Sequence, residues 1–154
     1  MPREHVFTGR LDWTGSAAHD AQGVLVLPRR YLIEFDGIAP LDGSSPPAFR
    51  GDADKHNPET LLVSSLMACH HLSYLALCEK ARIALVAYRD TASGTLALRD
   101  GKMRFVDVLL RPVVRVADAT QVEPALRLHD RAHEHCFIAN SVNFTVRVEP
   151  EVGA

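Results

Sequence analysis

The amino-acid sequence predicts an α+β fold in which antiparallel sheets pack around one long, central, buried helix. Strand-like segments occur in runs before and after this helix and do not alternate with helices, which favours antiparallel pairing. The helix itself is predicted from residue 58 to about residue 80, and its apolar positions cover most of its circumference. The 154 residues, 47% hydrophobic and 23% charged, fit a single domain spanning residues 1–154.

The start of the central helix carries three local signals. Asn57 is a good N-cap, Pro58 suits the first helical position, and Glu59 complements the positive end of the helix dipole. The apolar residues that follow are Leu61, Leu62, Val63, Leu66, Met67, Ala68, Leu72, Leu75, Ala76 and Leu77. Because they point in nearly every direction, we expect the helix to be buried nearly all round, within this chain or in an oligomer.

The segment before the helix divides into strands and one long loop. Residues 5–13 alternate apolar or small with polar side chains, and two further short strands are predicted at 24–27 and 31–35, giving an antiparallel meander. Residues 42–56 show neither period. Long irregular loops are often functional, so Arg50 is a candidate site residue, although a solvated surface loop is the alternative.

The segment after the helix predicts more strands and a second helix. The strands are expected at 83–88, 95–98, 104–116 and 144–149, with turns at Ser93-Gly94 and Asp100-Gly101. Apolar or small side chains keep helical spacing from 121 to 135 and place Cys136 near the buried side of that helix.

Charge and composition exclude several classes of partner. The net charge is −2 and the basic residues are scattered, so we expect neither nucleic-acid nor membrane binding. The first residues lack the apolar core of a signal peptide, and no apolar run approaches the roughly 20 residues that span a bilayer, so a cytoplasmic protein is expected. Three scattered cysteines do not form a disulfide framework.

Helix geometry separates two of the cysteines. Cys69 and Cys78 are nine residues apart on the central helix, which corresponds to about 900° of rotation and about 13 Å of rise. A disulfide needs Cα atoms within about 7 Å, so these two cannot pair and Cys136 is the remaining partner. We interpret Cys78 as a small buried hydrophobe.

Cys69 is the candidate reaction centre, although a buried cysteine can also be simple core. It lies too far from the helix N-terminus for the dipole to lower its pKa much, so a reactive thiolate requires a nearby cation. The candidates are Arg50, Arg30 and His70. We rank His70 below the arginines because consecutive helical residues point about 100° apart.

Glu59 precedes Cys69 by ten residues, or about 15 Å of rise, so direct contact within one chain is not expected. If the helix paired antiparallel with its copy in a second subunit, Glu59 of one chain would approach Cys69 of the other and could orient the arginine. The alternative is that Glu59 only complements the helix dipole.

The sequence resembles the osmotically inducible protein C and organic hydroperoxide resistance (OsmC/Ohr) family. The similarity covers nearly the whole chain. It rests on Asn57-Pro58-Glu59 followed by Ala68-Cys69, on Arg104-Phe105, on Ala132-His133 with Cys136, and on the stretches 49–52 and 136–144.

The resemblance implies an intertwined homodimer with an active site at the subunit interface. It also implies a thiol peroxidase that needs no cofactor and no metal, in which Cys69 is the peroxidatic thiolate and Cys136 the resolving thiol. An arginine, matched approximately by Arg50, and Glu59 would activate Cys69. The expected substrate is an alkyl or lipid hydroperoxide, and the reductant a lipoylated protein, a thioredoxin-like protein or a small thiol.

Besides the arginine, which Arg50 matches only approximately, the sequence departs from better-known members at two points, which affect the expected substrate and reductant more than the fold. His70-His71 stands where an aromatic residue is common, and Phe137-Ile138 where a Pro-aromatic pair is usual. One alternative is a ligand-binding or structural member without turnover. Another is a zinc or copper site, to which Cys69, His70, Cys136 and one of His133 and His135 would contribute.

Overall fold

A computed structural model describes residues 4–154 of the chain. Its contacts divide into two compact units, one ending at Leu61 and one running from Leu62 to Ala154. The single domain predicted from the sequence stays a prediction.

The first unit contains five short strands. They are β1 (Gly9–Trp13), β2 (Ala18–His19), β3 (Leu25–Val26), β4 (Tyr31–Phe35) and β5 (Leu41–Gly43). An antiparallel sheet has the order β1-β4-β5, and β2 and β3 form a separate hairpin. The three predicted strands are present and pair antiparallel, but the predicted order is wrong, because the segment at 24–27 pairs with β2 and β1 pairs directly with β4. The sequence missed β2 and β5 because strands of two or three residues are too short to show a period of two.

The predicted long loop follows β5 and contains one short 3₁₀ helix, Pro47–Phe49. Gly51 is required here by space, since a Cβ at this position would lie 1.6 Å from the carbonyl oxygen of Ser45. The loop is thus closely packed on itself, although most of it is irregular.

Helix α1 (Pro58–Ala81) begins and ends within one residue of the prediction. The Asn57 side chain accepts a hydrogen bond from the Thr60 N–H at 2.9 Å, which confirms the predicted cap. One stripe of α1, with a residue every four positions, is buried within the described chain: Leu66, His70, Tyr74 and Cys78. Leu72, on another side, is 63% exposed. Burial nearly all round therefore requires a second chain and stays a prediction.

By length and composition alone α1 could cross a membrane, with a mean hydropathy of 1.5. This corrects the expectation that no apolar segment is long enough to span a bilayer. The polar residues within α1 are too few to lower the mean hydropathy of the helix. Central helices of soluble proteins share the property, which is weak support for a membrane span.

Strands β6 (Leu85–Arg99) and β7 (Lys102–Val116) form a long antiparallel hairpin. Its turn is Asp100-Gly101, as predicted, with positive φ angles of 51° and 74°. The predicted turn at Ser93-Gly94 is wrong, because both residues lie inside β6. A Cβ at Gly94 would come within 2.8 Å of the Phe105 and Val63 side chains, so this glycine permits close packing against α1.

Helix α2 (Val122–Glu134) follows the predicted boundaries closely and leads to β8 (Thr145–Val148) and β9 (Glu151–Gly153). Both strands pair with β7 in parallel. Antiparallel pairing therefore fails for these two strands, since α2 carries the chain back as a crossover between β7 and β8. The final strand is confirmed at β8, β9 was not predicted, and the α+β class is confirmed.

Candidate active site

The second unit brings Cys69 and Cys136 together. Cys136 is 1% exposed and Cys69 is partly exposed, and both are free thiols. The Cys69 thiol lies close enough to Cys136 to raise the pKa of the Cys136 thiol. These are the two cysteines that the sequence analysis left as possible partners.

Packing after α2 explains how Cys136 reaches α1. The buried residues of α2 are Ala125, His129 and Ala132, and Cys136 continues this stripe just beyond the helix end. The chain then turns, and Ile138 and Ala139 pack against the apolar cluster formed by Leu66, Val108 and Leu110. Because Leu66 lies one helical turn before Cys69, this apolar contact draws Cys136 toward the Cys69 side of α1.

The environment of Cys136 favours its protonated form. Burial, and then the neighbouring Cys69, raise the pKa of the Cys136 thiol to about 11. The backbone N–H of Ala139 acts in the opposite direction by donating to Sγ at 3.4 Å, and the Ile138 backbone contributes similarly. Cys136 is therefore a thiol at neutral pH, and backbone donors are in place for the thiolate that would form during a reaction.

Cys78 lies in a different environment, as predicted. It is 2% exposed and belongs to a core cluster that includes Ile83 and Val114. Burial raises the pKa of its thiol, while a hydrogen bond with Tyr74 acts in the opposite direction. The interpretation of Cys78 as a small buried hydrophobe is confirmed.

The two candidate arginines lie in the first unit and have different partners. Arg30 pairs with Asp52 through two contacts of 3.2 Å, and the buried Ser44 hydroxyl donates to the same carboxylate at 3.1 Å. Arg50 is exposed in the left-handed region at φ 62°, and among residues 4–154 it forms no ion pair. Of these two arginines, Arg50 is the one whose guanidinium forms no ion pair within the described residues.

Glu59 has a neighbour that the sequence analysis missed. Burial and the Glu59 charge raise the pKa of the Tyr31 hydroxyl. Glu59 Oε2 and the Tyr31 hydroxyl are both buried, and neither has a hydrogen-bond partner among the described residues. Tyr31 could be predicted only as a strand residue, since its approach to Glu59 depends on the fold. The predicted action of Glu59 on the arginine stays a prediction.

The surroundings of His70 do not suit the role of the activating cation. Its Nε2 lies 3.0 Å from Nδ1 of His129, and both rings are buried. Burial, followed by the charges of His133 and His71, lowers the pKa of His70 to about 4. His70 is therefore neutral at pH 7, which agrees with ranking it below the arginines. The pairing of His70 with His129 was not predicted from the sequence.

The remaining histidines do not assemble a metal site. The His71 ring packs against Tyr88 with centroids 4.2 Å apart. Within residues 4–154, no group of three or more His, Cys, Asp or Glu side chains could hold a metal ion. The zinc or copper alternative therefore has no support from the described side chains.

The sequence pattern of the OsmC-like protein family matches residues 51–151 of this chain. The chain belongs to the OsmC-like family. That family includes organic hydroperoxide resistance proteins, and the resemblance stated from the sequence is thereby confirmed. A comparison with curated protein sequences gives no significant match.

Solved structures agree with this assignment. An OsmC-like protein of unknown function from Vibrio cholerae is 28% identical, with a TM-score of 0.84 over 96% of this chain and 99% of that one. An organic hydroperoxide resistance protein from Elizabethkingia anophelis is 17% identical, with a TM-score of 0.68 over 99% of both chains. Another from Legionella pneumophila is 22% identical, with a TM-score of 0.65 over 98% and 100%. At such identities the last two show the OsmC-like fold alone.

Proposed function

We propose that this protein is a cysteine-based peroxidase that reduces organic hydroperoxides, with Cys69 as the peroxidatic residue and Cys136 as the resolving residue. The observation that carries the proposal is the approach of buried Cys136 to Cys69. Family membership supports it, as do the structural neighbours named organic hydroperoxide resistance proteins.

In the first step the Cys69 thiolate attacks the terminal oxygen of the hydroperoxide. The O–O bond breaks, the alkoxide takes a proton and leaves as an alcohol, and Cys69 becomes a sulfenic acid. In the second step the Cys136 sulfur attacks the Cys69 sulfur. The S–O bond breaks, a disulfide forms, and the hydroxide leaves as water with the proton lost by Cys136. Two equivalents of a reducing thiol then restore both cysteines.

The activating groups proposed for Cys69 are Arg50 and Glu59. A guanidinium stabilises a thiolate, and a carboxylate can hold that guanidinium in orientation. The engagement of Arg30 by Asp52 favours Arg50. On this proposal Arg50→Met lowers the rate of hydroperoxide consumption at least tenfold, and Arg30→Met lowers it less.

The apolar surroundings favour alkyl or lipid hydroperoxides over hydrogen peroxide. Met67, Ile138 and Phe144 are partly buried around the cluster one turn from Cys69. Such a surface gains free energy by covering an alkyl chain, at roughly 25 cal/mol per Å². The reductant is a lipoylated protein, a thioredoxin-like protein or a small thiol.

We also propose a homodimer built on α1. Leu72 and Leu75 on this helix are 63% and 36% exposed in the single chain. Exposed leucines on one side of a long apolar helix are typical of a surface that another chain covers. A second copy would cover them. Leu72→Asp is expected to shift the mass measured by sedimentation toward the monomer, and an unchanged dimer would contradict this contact.

The proposed function is tested by adding cumene hydroperoxide to the reduced protein and measuring thiols and intact mass. The expected product has lost two thiols and contains a Cys69–Cys136 disulfide. Cys136→Ser is expected to turn over once and to stop with Cys69 as a sulfenic or over-oxidised acid.

Unchanged thiols after exposure to hydroperoxide would contradict the peroxidase and favour the ligand-binding alternative. Full, sustained activity of Cys136→Ser would contradict its role as the resolving thiol.

A further inference from the structure

A buried pair of histidines joins the two helices that lead to the thiols. His70 on α1 and His129 on α2 are 0% and 1% exposed, and their nitrogens Nε2 and Nδ1 lie 3.0 Å apart. The residues are 59 positions apart in the sequence, so the contact exists only in the folded second unit. Neither imidazole has a part in the peroxide chemistry proposed above.

The geometry identifies a hydrogen bond. The ring planes are inclined by only 12° and the ring centroids are 5.3 Å apart, which is about the nitrogen separation plus the two ring radii. The rings therefore lie edge to edge, with the N–H of one directed at the lone pair of the other. A metal ion placed on that line would need nitrogens roughly 4 Å apart, since each bond to zinc measures about 2.0–2.1 Å.

Neighbouring groups hold this pair in place. The Tyr74 ring stacks on His129 with centroids 3.8 Å apart, and its hydroxyl donates to the Ala125 carbonyl oxygen at 3.2 Å. Ala125 lies one turn before His129 on α2. Burial lowers the pKa of both imidazoles, so at neutral pH one donates and the other accepts without repulsion between charges.

The pair lies close to both thiols along the chain. His70 is the residue after Cys69, and Cys136 follows His129 by seven residues, which is about 20° short of two full helical turns. Apolar contacts between two helices tolerate small slides and rotations, because they are not directional. A linear hydrogen bond between locked rings does not, since its strength falls steeply with distance and angle.

We propose that His70 and His129 are positioning residues that hold α1 and α2 in the register at which Cys136 meets Cys69. The pair would raise the effective concentration of the Cys136 sulfur at the Cys69 sulfur. The role of this effect in turnover rests on the proposed peroxidase function. The effective concentration itself can be measured on the two thiols whether or not the protein reduces hydroperoxides.

Amide replacements test the proposal because they can keep or misplace the hydrogen-bonding atom. A glutamine amide reaches about as far as Nε2, and an asparagine amide about as far as Nδ1. His70→Gln and His129→Asn can therefore restore the bond, whereas His70→Asn and His129→Gln cannot. All four variants introduce the same polar group at a buried position.

The measurement is the equilibrium constant for forming the Cys69–Cys136 disulfide against glutathione, in a Cys78→Ala background. His70→Gln and His129→Asn are expected to stay within threefold of the parent. His70→Asn and His129→Gln are expected to lose tenfold or more. Val114→Ala, which removes apolar contacts from the core cluster and keeps both imidazoles, is expected to leave the constant within threefold of the parent.

Equal constants for the matched and mismatched amides at both positions would overturn the proposal, as would a loss in Val114→Ala as large as that in His70→Asn. If one mismatched variant does not fold, the other position decides between these results. A wild-type protein that ignores hydroperoxide would contradict the peroxidase proposal and leave this constant measurable.

Discussion

Helix α1 carries two cysteines whose surroundings differ in almost every respect. Cys69 is partly exposed and interacts with Cys136, whereas Cys78 is buried in a core cluster and forms a hydrogen bond with Tyr74. Both are thiols on the same helix, nine residues apart. What separates them is the element packed against each: the turn after α2 at Cys69, and core residues that include Ile83 and Val114 at Cys78.

The difference teaches that the groups around a thiol, and not the residue type alone, determine which reactions are open to it. A thiol with a second thiol beside it can close a disulfide, and a thiol enclosed by apolar side chains is protected from oxidants. Polar side chains also occur on the packed side of α1, where His70 pairs with His129 and the Tyr74 hydroxyl donates to the Ala125 carbonyl oxygen. The other ring nitrogens, His70 Nδ1 and His129 Nε2, are buried and have no hydrogen-bond partner among the described residues.

The largest expected effect comes from removing each of the two cysteines in turn. Cys69→Ser should abolish the consumption of cumene hydroperoxide, because serine cannot be oxidised to a sulfenic acid. Cys78→Ala should keep nearly full activity and lose about 1 kcal/mol of unfolding free energy in a urea titration. Comparable activity in the two variants would remove the distinction between the two thiols.

A second prediction concerns pH and the closing of the disulfide. The raised pKa of Cys136, about 11, leaves it mostly protonated from pH 7 to pH 9. Only the thiolate attacks, so the rate of disulfide formation after one equivalent of hydroperoxide should rise about tenfold per pH unit over this range.

Rapid quenching with a thiol-alkylating reagent, followed by mass measurement, gives that rate. A rate that is flat above pH 7 would mean that Cys136 ionises much more readily than its burial implies.

A third prediction concerns the packed side of α1, where we expect a loss of stability in acid without a direct effect on the thiol chemistry. The pKa values of His70 and His129 are about 4 and about 3 in the folded protein, below the ordinary 6.5. Well above pH 6.5 both rings are neutral in the folded and in the unfolded chain, so the unfolding free energy does not change with pH through these two residues. As the pH falls from 6.5 toward 4 the unfolded chain binds protons first, and each histidine lowers the unfolding free energy by about 1.4 kcal/mol per pH unit.

Urea titrations at pH 7.5, 6 and 5 measure this loss. The double variant His70→Gln, His129→Asn should have a flatter profile than the wild-type protein. His71 and His133, whose charges act on His70, remain in both proteins and serve as the internal control. Identical profiles would show that the pair is not buried in its neutral form.

Local signals in the sequence predicted much of this protein. Asn57 and Pro58 defined the start of α1, periodicity defined α2, and Asp100-Gly101 defined the β6–β7 turn, because caps, periods and turns depend on neighbouring residues. Ser93-Gly94 misled for the opposite reason. Gly94 leaves space for the side chains of Val63 and Phe105, of which Val63 is distant in the sequence.

By itself, the sequence determined the α+β class, the capped helix, the OsmC-like family and the fact that Cys69 and Cys78 cannot pair. Only the tertiary structure decided that Cys136 lies beside Cys69, that Arg30 is engaged by Asp52, and that His70 meets His129. Helical geometry relates residues of one segment and is contained in the sequence. Contacts across tens of residues depend on how the segments pack, and no local pattern encodes them.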